Sequence, residues 1–132
     1  MVQLRKTKGF TLLEVLIVLV ILAVLAGLAV PAYTSAVEKS RKQEALTSLG
    51  AVRAAQQRYF SAYNTYAAAF ASLDFDPTLA VTGNVTHFAF TLGGGAGATY
   101  TATATRNATD RPAGVGAYTV TIIQDGTVAS SY

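Results

Sequence analysis

Sixteen consecutive residues, Val15 to Val30, carry neither a charge nor a hydrogen-bonding side chain, and no other feature constrains the fold as strongly. Between Glu14 and Glu38 the only ionisable group is the phenol of Tyr33. Read as a helix, Phe10 to Val37 reaches about 42 Å, against roughly 30 Å of bilayer hydrocarbon, so the segment is long enough to span a membrane. A cleaved secretory signal fits less well. The run is too long for its apolar region, no small-x-small cleavage site precedes a hydrophilic start, and Glu14 lies inside it.

Charge supports an anchor over a nucleic-acid-binding body. Arg5, Lys6 and Lys8 all precede Gly9, and after it seven basic side chains face seven acidic ones, so the body balances to zero. The basic tag orients the N-terminus to the cytoplasm by the positive-inside preference. No basic stripe is left to follow a phosphate backbone. With no cysteine and a single His87, the chain offers no disulfide framework, thiolate site or histidine cluster. No metal and no cofactor is expected.

Glu14 is the anomaly. An isolated carboxylate at the head of an apolar helix costs several kcal/mol unless it is neutralised or paired, so something positive should approach it. Here "KGFTLLEVLIVLVILAVLAGLAVPAY" resembles the class III signal of type IV pilins and of the pseudopilins of type II secretion. The resemblance covers residues 5 to 33: a basic leader ending in glycine, then phenylalanine, then a carboxylate five residues into the processed chain. It implies that a prepilin peptidase cuts between Gly9 and Phe10 and methylates the new amino terminus of Phe10. It further implies that Glu14, with Phe10 and Thr11, acts in assembly by meeting the N-terminus of a neighbouring subunit. A pair that is satisfied only in register penalises every other register. In that family the stretch before the proline is often unwound in the filament, so Gly27 and Pro31 mark a kink or a melting site.

Past Tyr33 a proline-free polar stretch extends the helix to about Ala62, with Ala45, Leu49, Val52, Tyr59 and Tyr63 as a core-facing stripe and Gln56 inside it needing a partner. Glu38 with Lys42, and Arg41 with Glu44, have helical pair spacing. Asn64 reads as a turn and Asp76-Pro77 as a breaker. "VTHFAFTL", "ATYTATAT" and "AYTVTIIQ" alternate as strands, and the turn at Asp125-Gly126 leads to a short fourth, "TVASS". The expected fold is α+β and pilin-like: one long N-terminal helix packed on a three- to four-stranded antiparallel sheet. The expected divisions are a leader at 1–9, a helix at 10–62 with its hydrophobic half at 10–37, and a globular head at 63–132. Without a cysteine pair, the loop from Arg106 to Val115 is expected to be held by hairpin contacts alone.

No nucleophile, base and oxyanion arrangement is present, so an enzyme is not expected. His87 reads as a surface or edge residue, Asp74 and Asp76 as turn formers, and Asp110 or Asp125 as weak calcium candidates by analogy with secretion pseudopilins. Asn84 and Asn107 fit glycosylation sequons that arise by chance in threonine-rich chains. The expected function is a pilin, held in the bacterial inner membrane as a precursor and polymerised with copies of itself into an extracellular filament. Its partners would be the prepilin peptidase, an inner-membrane assembly platform and minor pilins, with nucleic acid bound only by the assembled filament. The alternatives are a subunit of a periplasmic secretion pseudopilus and an anchored binding module that never polymerises.

Overall fold

A computed structural model describes residues 9–77, 87–95 and 97–131. The leader residues before Gly9 and the sequon at Asn84 lie outside them. The elements run α1 (Leu12–Tyr63), a short 3-10 turn (Phe70–Ser72), β1 (Phe88–Gly93), β2 (Thr101–Arg106), β3 (Thr119–Ile123) and β4 (Val128–Ser131). The chain falls into two compact units that meet within α1, one ending at Val37 and one starting at Glu38. The architecture is the α+β arrangement the sequence led us to expect, with four strands.

In the second unit the strands form an antiparallel meander in the order β1-β2-β3-β4. Register follows the period-2 pattern: Ala102 faces Ile122, Ala104 faces Val120, and Phe90 faces Ala104. One side chain in two thus points at α1, and these buried residues, Phe88, Tyr100, Ala102, Ala104, Tyr118, Val120 and Ile122, meet Ala45, Leu49 and Val52. Small alanines in β2 let the helix approach closely. Leu49 and Val52 are fully buried, and each contributes about 1.5–3 kcal/mol by leaving water. Tyr100 is also buried, which pushes its phenol up to about 12.

The stripe on α1 ends sooner than expected. Tyr63 is 66% exposed, and its ring lies tilted against that of Tyr59 with centroids 4.5 Å apart. Gln56, fully buried, finds its partner in the chain that leaves the helix. Its Nε2 donates to the Ala67 carbonyl at 3.0 Å and its Oε1 accepts from the Ala67 N–H at 2.9 Å. That pair fixes the exit loop after Asn64, which turns with φ of 54°.

The β2–β3 loop is not held by hairpin contacts alone. Arg106, at the end of β2, is 2% exposed and spends all five guanidinium hydrogens inside the head. Its Nε and one Nη2 hydrogen grip Glu38 of α1 at 3.1 and 3.0 Å. The other Nη2 hydrogen goes to the Asp110 carbonyl at 3.2 Å, and Nη1 donates to the Asp110 carboxylate at 2.5 Å and the His87 carbonyl at 3.0 Å. Arg41 and the Tyr118 hydroxyl also donate to Glu38, at 3.0 and 3.2 Å. His87 pairs through Nδ1 with the other Asp110 oxygen. Helix, two strands and loop are thereby tied by one arginine.

Hydrogen bonds from Arg106 lower the Glu38 carboxyl below its ordinary range against the opposing effect of burial. For Asp110, burial raises the carboxyl, but the bonds from His87 and Arg106 outweigh it and the net direction is down. Two depressed carboxyls contribute stability that is full above their unfolded values and is lost as pH falls through the folded ones. Melting temperature should therefore hold steady near neutrality and fall below about pH 4, near the ordinary carboxylate values. Arg106→Met should destabilise the head by about 3–5 kcal/mol in denaturant titrations of the full chain in detergent, because Glu38 and Asp110 both lose the buried guanidinium that neutralises them. Adding Glu38→Leu to Arg106→Met should recover most of that loss.

Candidate functional site

Among the described residues of the first unit, α1 carries no apolar cover. Its large apolar side chains from Leu12 to Val30 are exposed, and by length and composition the helix is able to cross a membrane. In water such a surface is untenable, so lipid or other helices must cover it.

The helix starts where its sequence allows a reciprocal cap. Thr11, just before Leu12, has Glu14 three residues on, the spacing at which a side chain reaches back to the preceding turn. The Glu14 N–H donates to Thr11 Oγ1 at 3.2 Å, and the Thr11 N–H and hydroxyl both donate to Glu14 Oε2 at 3.0 Å. The carboxylate thus satisfies donors that a helix start leaves open, and it sits at the positive end of the helix dipole. Among the described residues no cation bonds to it. Reading Glu14 from sequence only as a charge awaiting a partner missed the cap, although the Thr-x-x-Glu spacing carries the signal.

Gly9 and Phe10 precede α1, and both are exposed, Phe10 by 88%. Pro31 lies within the unbroken helix. Having no N–H, it leaves the carbonyl four residues back, that of Gly27, without its helical donor. Thr34 and Ser35 hydroxyls each donate to the Pro31 carbonyl at 2.9 Å. Gly27 has open space around it. The two residues singled out in the sequence are therefore one defect, a missing donor and the acceptor it strands.

On the head, several cations are occupied by carboxylates. Arg58 forks onto Asp74 at 2.6 and 2.8 Å, and Arg41 and Arg106 share Glu38. Asp74 is thereby an ion-pair member, with its carboxyl lowered by the hydrogen bonds from Arg58. Arg53 reaches the Asp125 carbonyl at 3.4 Å beside the β3–β4 turn, and Lys42 donates to Ser130 Oγ at 2.9 Å. Asp110 and Asp125, weighed as calcium ligands, have separate engagements: Asp110 in the Arg106 cluster, Asp125 with the Thr127 N–H at 2.7 Å. Nothing in the spacing of residues 38, 87, 106 and 110 announces that they meet. His87, read as an edge residue, proves half-buried in that cluster.

A membrane-length helix continuing into the cover of an antiparallel sheet, with a capped acid at its start, defines a type IV pilin-like protein. Residues 4–30 match the prokaryotic N-terminal methylation motif, and residues 31–114 match the family described as type IV minor pilin ComP, DNA uptake sequence receptor. The second match covers well over half of the chain, which belongs to that type IV minor pilin family. No curated protein and no solved structure matches it.

Replacing Pro31 by alanine returns a donor to the Gly27 carbonyl. In micelles, amide hydrogen exchange near residues 27–34 should slow by on the order of a hundredfold, the equilibrium worth of a proline in a helix interior. Unchanged exchange would show that the stranded carbonyl is no weak point.

Proposed function

We propose that this chain is the precursor of a minor pilin, cut between Gly9 and Phe10, methylated on Phe10 and built into a type IV filament. Before assembly residues 10–37 hold it in the inner membrane. In the filament those same apolar faces pack against other subunits, and Glu14 receives the new ammonium of a neighbour. The chain is a structural subunit in this reading, and the prepilin peptidase does the chemistry.

One observation carries the reading: a helix long enough to cross a bilayer begins with a carboxylate that has no cationic partner in its own described chain. A mere anchor gains only the helix cap from such a group, whereas an assembling helix also gains register. The stranded Gly27 carbonyl supports a further part, that the turn before Pro31 unwinds in the fibre.

The matched family's description as a DNA uptake sequence receptor supports a further role, DNA binding, which we assign to the head on the assembled filament. The head is suited to modest, local contact. Its charges balance, and Arg41, Arg58 and Arg106 are committed to carboxylates.

Glu14→Ala should still insert and be cleaved, yet disappear from sheared surface fibres by immunoblot. Normal incorporation of that variant would overturn the role given to Glu14, and absence of the wild-type chain itself from fibres would leave the anchored-module alternative standing. For duplex DNA and the processed chain, which lacks Arg5, Lys6 and Lys8, in micelles, the slope of log affinity against log salt should be no steeper than about −4, since three of the seven basic side chains after Gly9 already hold carboxylates. A much steeper slope would point to a basic surface that this head lacks.

A further inference from the structure

The last turns of α1 and the chain that returns beside them line a cleft of about 210 Å³ for which neither the anchor nor the core has a use. Ala55, Arg58, Tyr59, Ala62 and Tyr63 share one helical face, and the two alanines, contributing only a methyl group each, leave depth between the larger side chains. The opposite wall carries Asp74, on the exit loop that Gln56 fixes through its two bonds to Ala67. The Tyr59 and Tyr63 rings lie 4.5 Å apart, tilted by 37°. Arg58 donates to Asp74 through Nε at 2.6 Å and Nη2 at 2.8 Å, yet both side chains stay more than half exposed. An ion pair so open to water adds little stability, so cohesion of the head does not account for it.

We infer that this cleft binds a neutral sugar ring, with Tyr59 and Tyr63 against the C–H face of a pyranose and the Arg58–Asp74 fork on two of its neighbouring hydroxyls. The charges of the fork cancel, so a phosphate would meet Asp74 and an ammonium would meet Arg58, whereas an uncharged ligand meets no repulsion. Hydroxyls both donate and accept, and the fork offers both functions. Beyond its two bonds to Asp74, Arg58 has three N–H groups left, and each Asp74 oxygen can accept again. Tyrosine rings supply the apolar surface that the C–H face of a sugar needs. The cleft is smaller than those that take drug-sized ligands, which suits one ring. Because the fork is already aligned, binding has little left to order. The site is independent of the filament reading, since every group in it belongs to the head.

The test titrates the full chain, in lauryldimethylamine oxide micelles whose headgroup carries no sugar, with methyl β-glucopyranoside and with methyl β-galactopyranoside, and follows the tyrosine ring signals by NMR. At least one glycoside should move the Tyr59 and Tyr63 signals with a Kd on the order of millimolar, as expected of one small ligand in an open cleft. A difference between the two assigns the fork to the hydroxyl at C4, the centre at which they differ. Ala62→Leu, which fills the cleft and keeps the fork, and Asp74→Ala, which removes half of the fork, should each weaken binding about tenfold or more. Tyr63→Phe keeps the ring and should bind within about twofold of wild type. Ala62, Tyr63 and Asp74 are exposed, so melting temperatures should stay near that of wild type. Tyr63→Ala replaces Ala62→Leu if that variant melts early. The inference is overturned if neither glycoside moves those signals, if the filled or half-forked cleft binds as wild type does, or if the same signals respond only to a short single-stranded DNA.

Discussion

A guanidinium with almost no exposed surface has to place all five hydrogens inside the protein, and where Arg106 places them decides how the head closes. Two go to Glu38 on α1, two to Asp110 in the β2–β3 loop, and one to the His87 carbonyl ahead of β1. The apolar contacts of Leu49 and Val52 against β2 and β3 supply cohesion, but they are not directional. Registration comes from the arginine, because any slip of helix or loop would strand a buried charge. A head of this size, lacking disulfides, has few other ways to tie a long loop to its core.

The first unit obeys opposite rules. Its apolar surface is satisfied only by what surrounds it, and a single polar group then carries information out of proportion to its size. Glu14 is tolerable because the helix start offers it donors. Pro31 and Gly27 put a local weakness in the same rod, where a helix that changes environment from lipid to protein would yield first.

The elements with a period were legible in the residue order. Tyr100, Ala102 and Ala104 alternate inward as "ATYTATAT" predicts, and so do Tyr118, Val120 and Ile122, since a sheet covered on one face leaves one side chain in two no other place. Gln56 announced its need of a partner through its place in an apolar stripe, although Ala67 as that partner could not be named. What stayed hidden was long-range. Glu38 and Arg106 lie 68 positions apart, and helix spacing instead suggested a local partner for Glu38. Tyr63 was misplaced because a wheel gives direction around the helix and not what lies along it. The Thr11–Glu14 cap was readable from spacing, yet it was overshadowed by the question of what Glu14 meets in another subunit.

The function we propose is a chain that leaves the membrane and stands in a fibre with its processed N-terminus buried beside a neighbour's acid. Mass spectrometry of intact subunits from sheared surface fibres addresses it directly. The account predicts a chain that begins at Phe10 and carries one added methyl group on its amine. A chain that still begins at Met1, found only in the membrane and never in fibres, would contradict it.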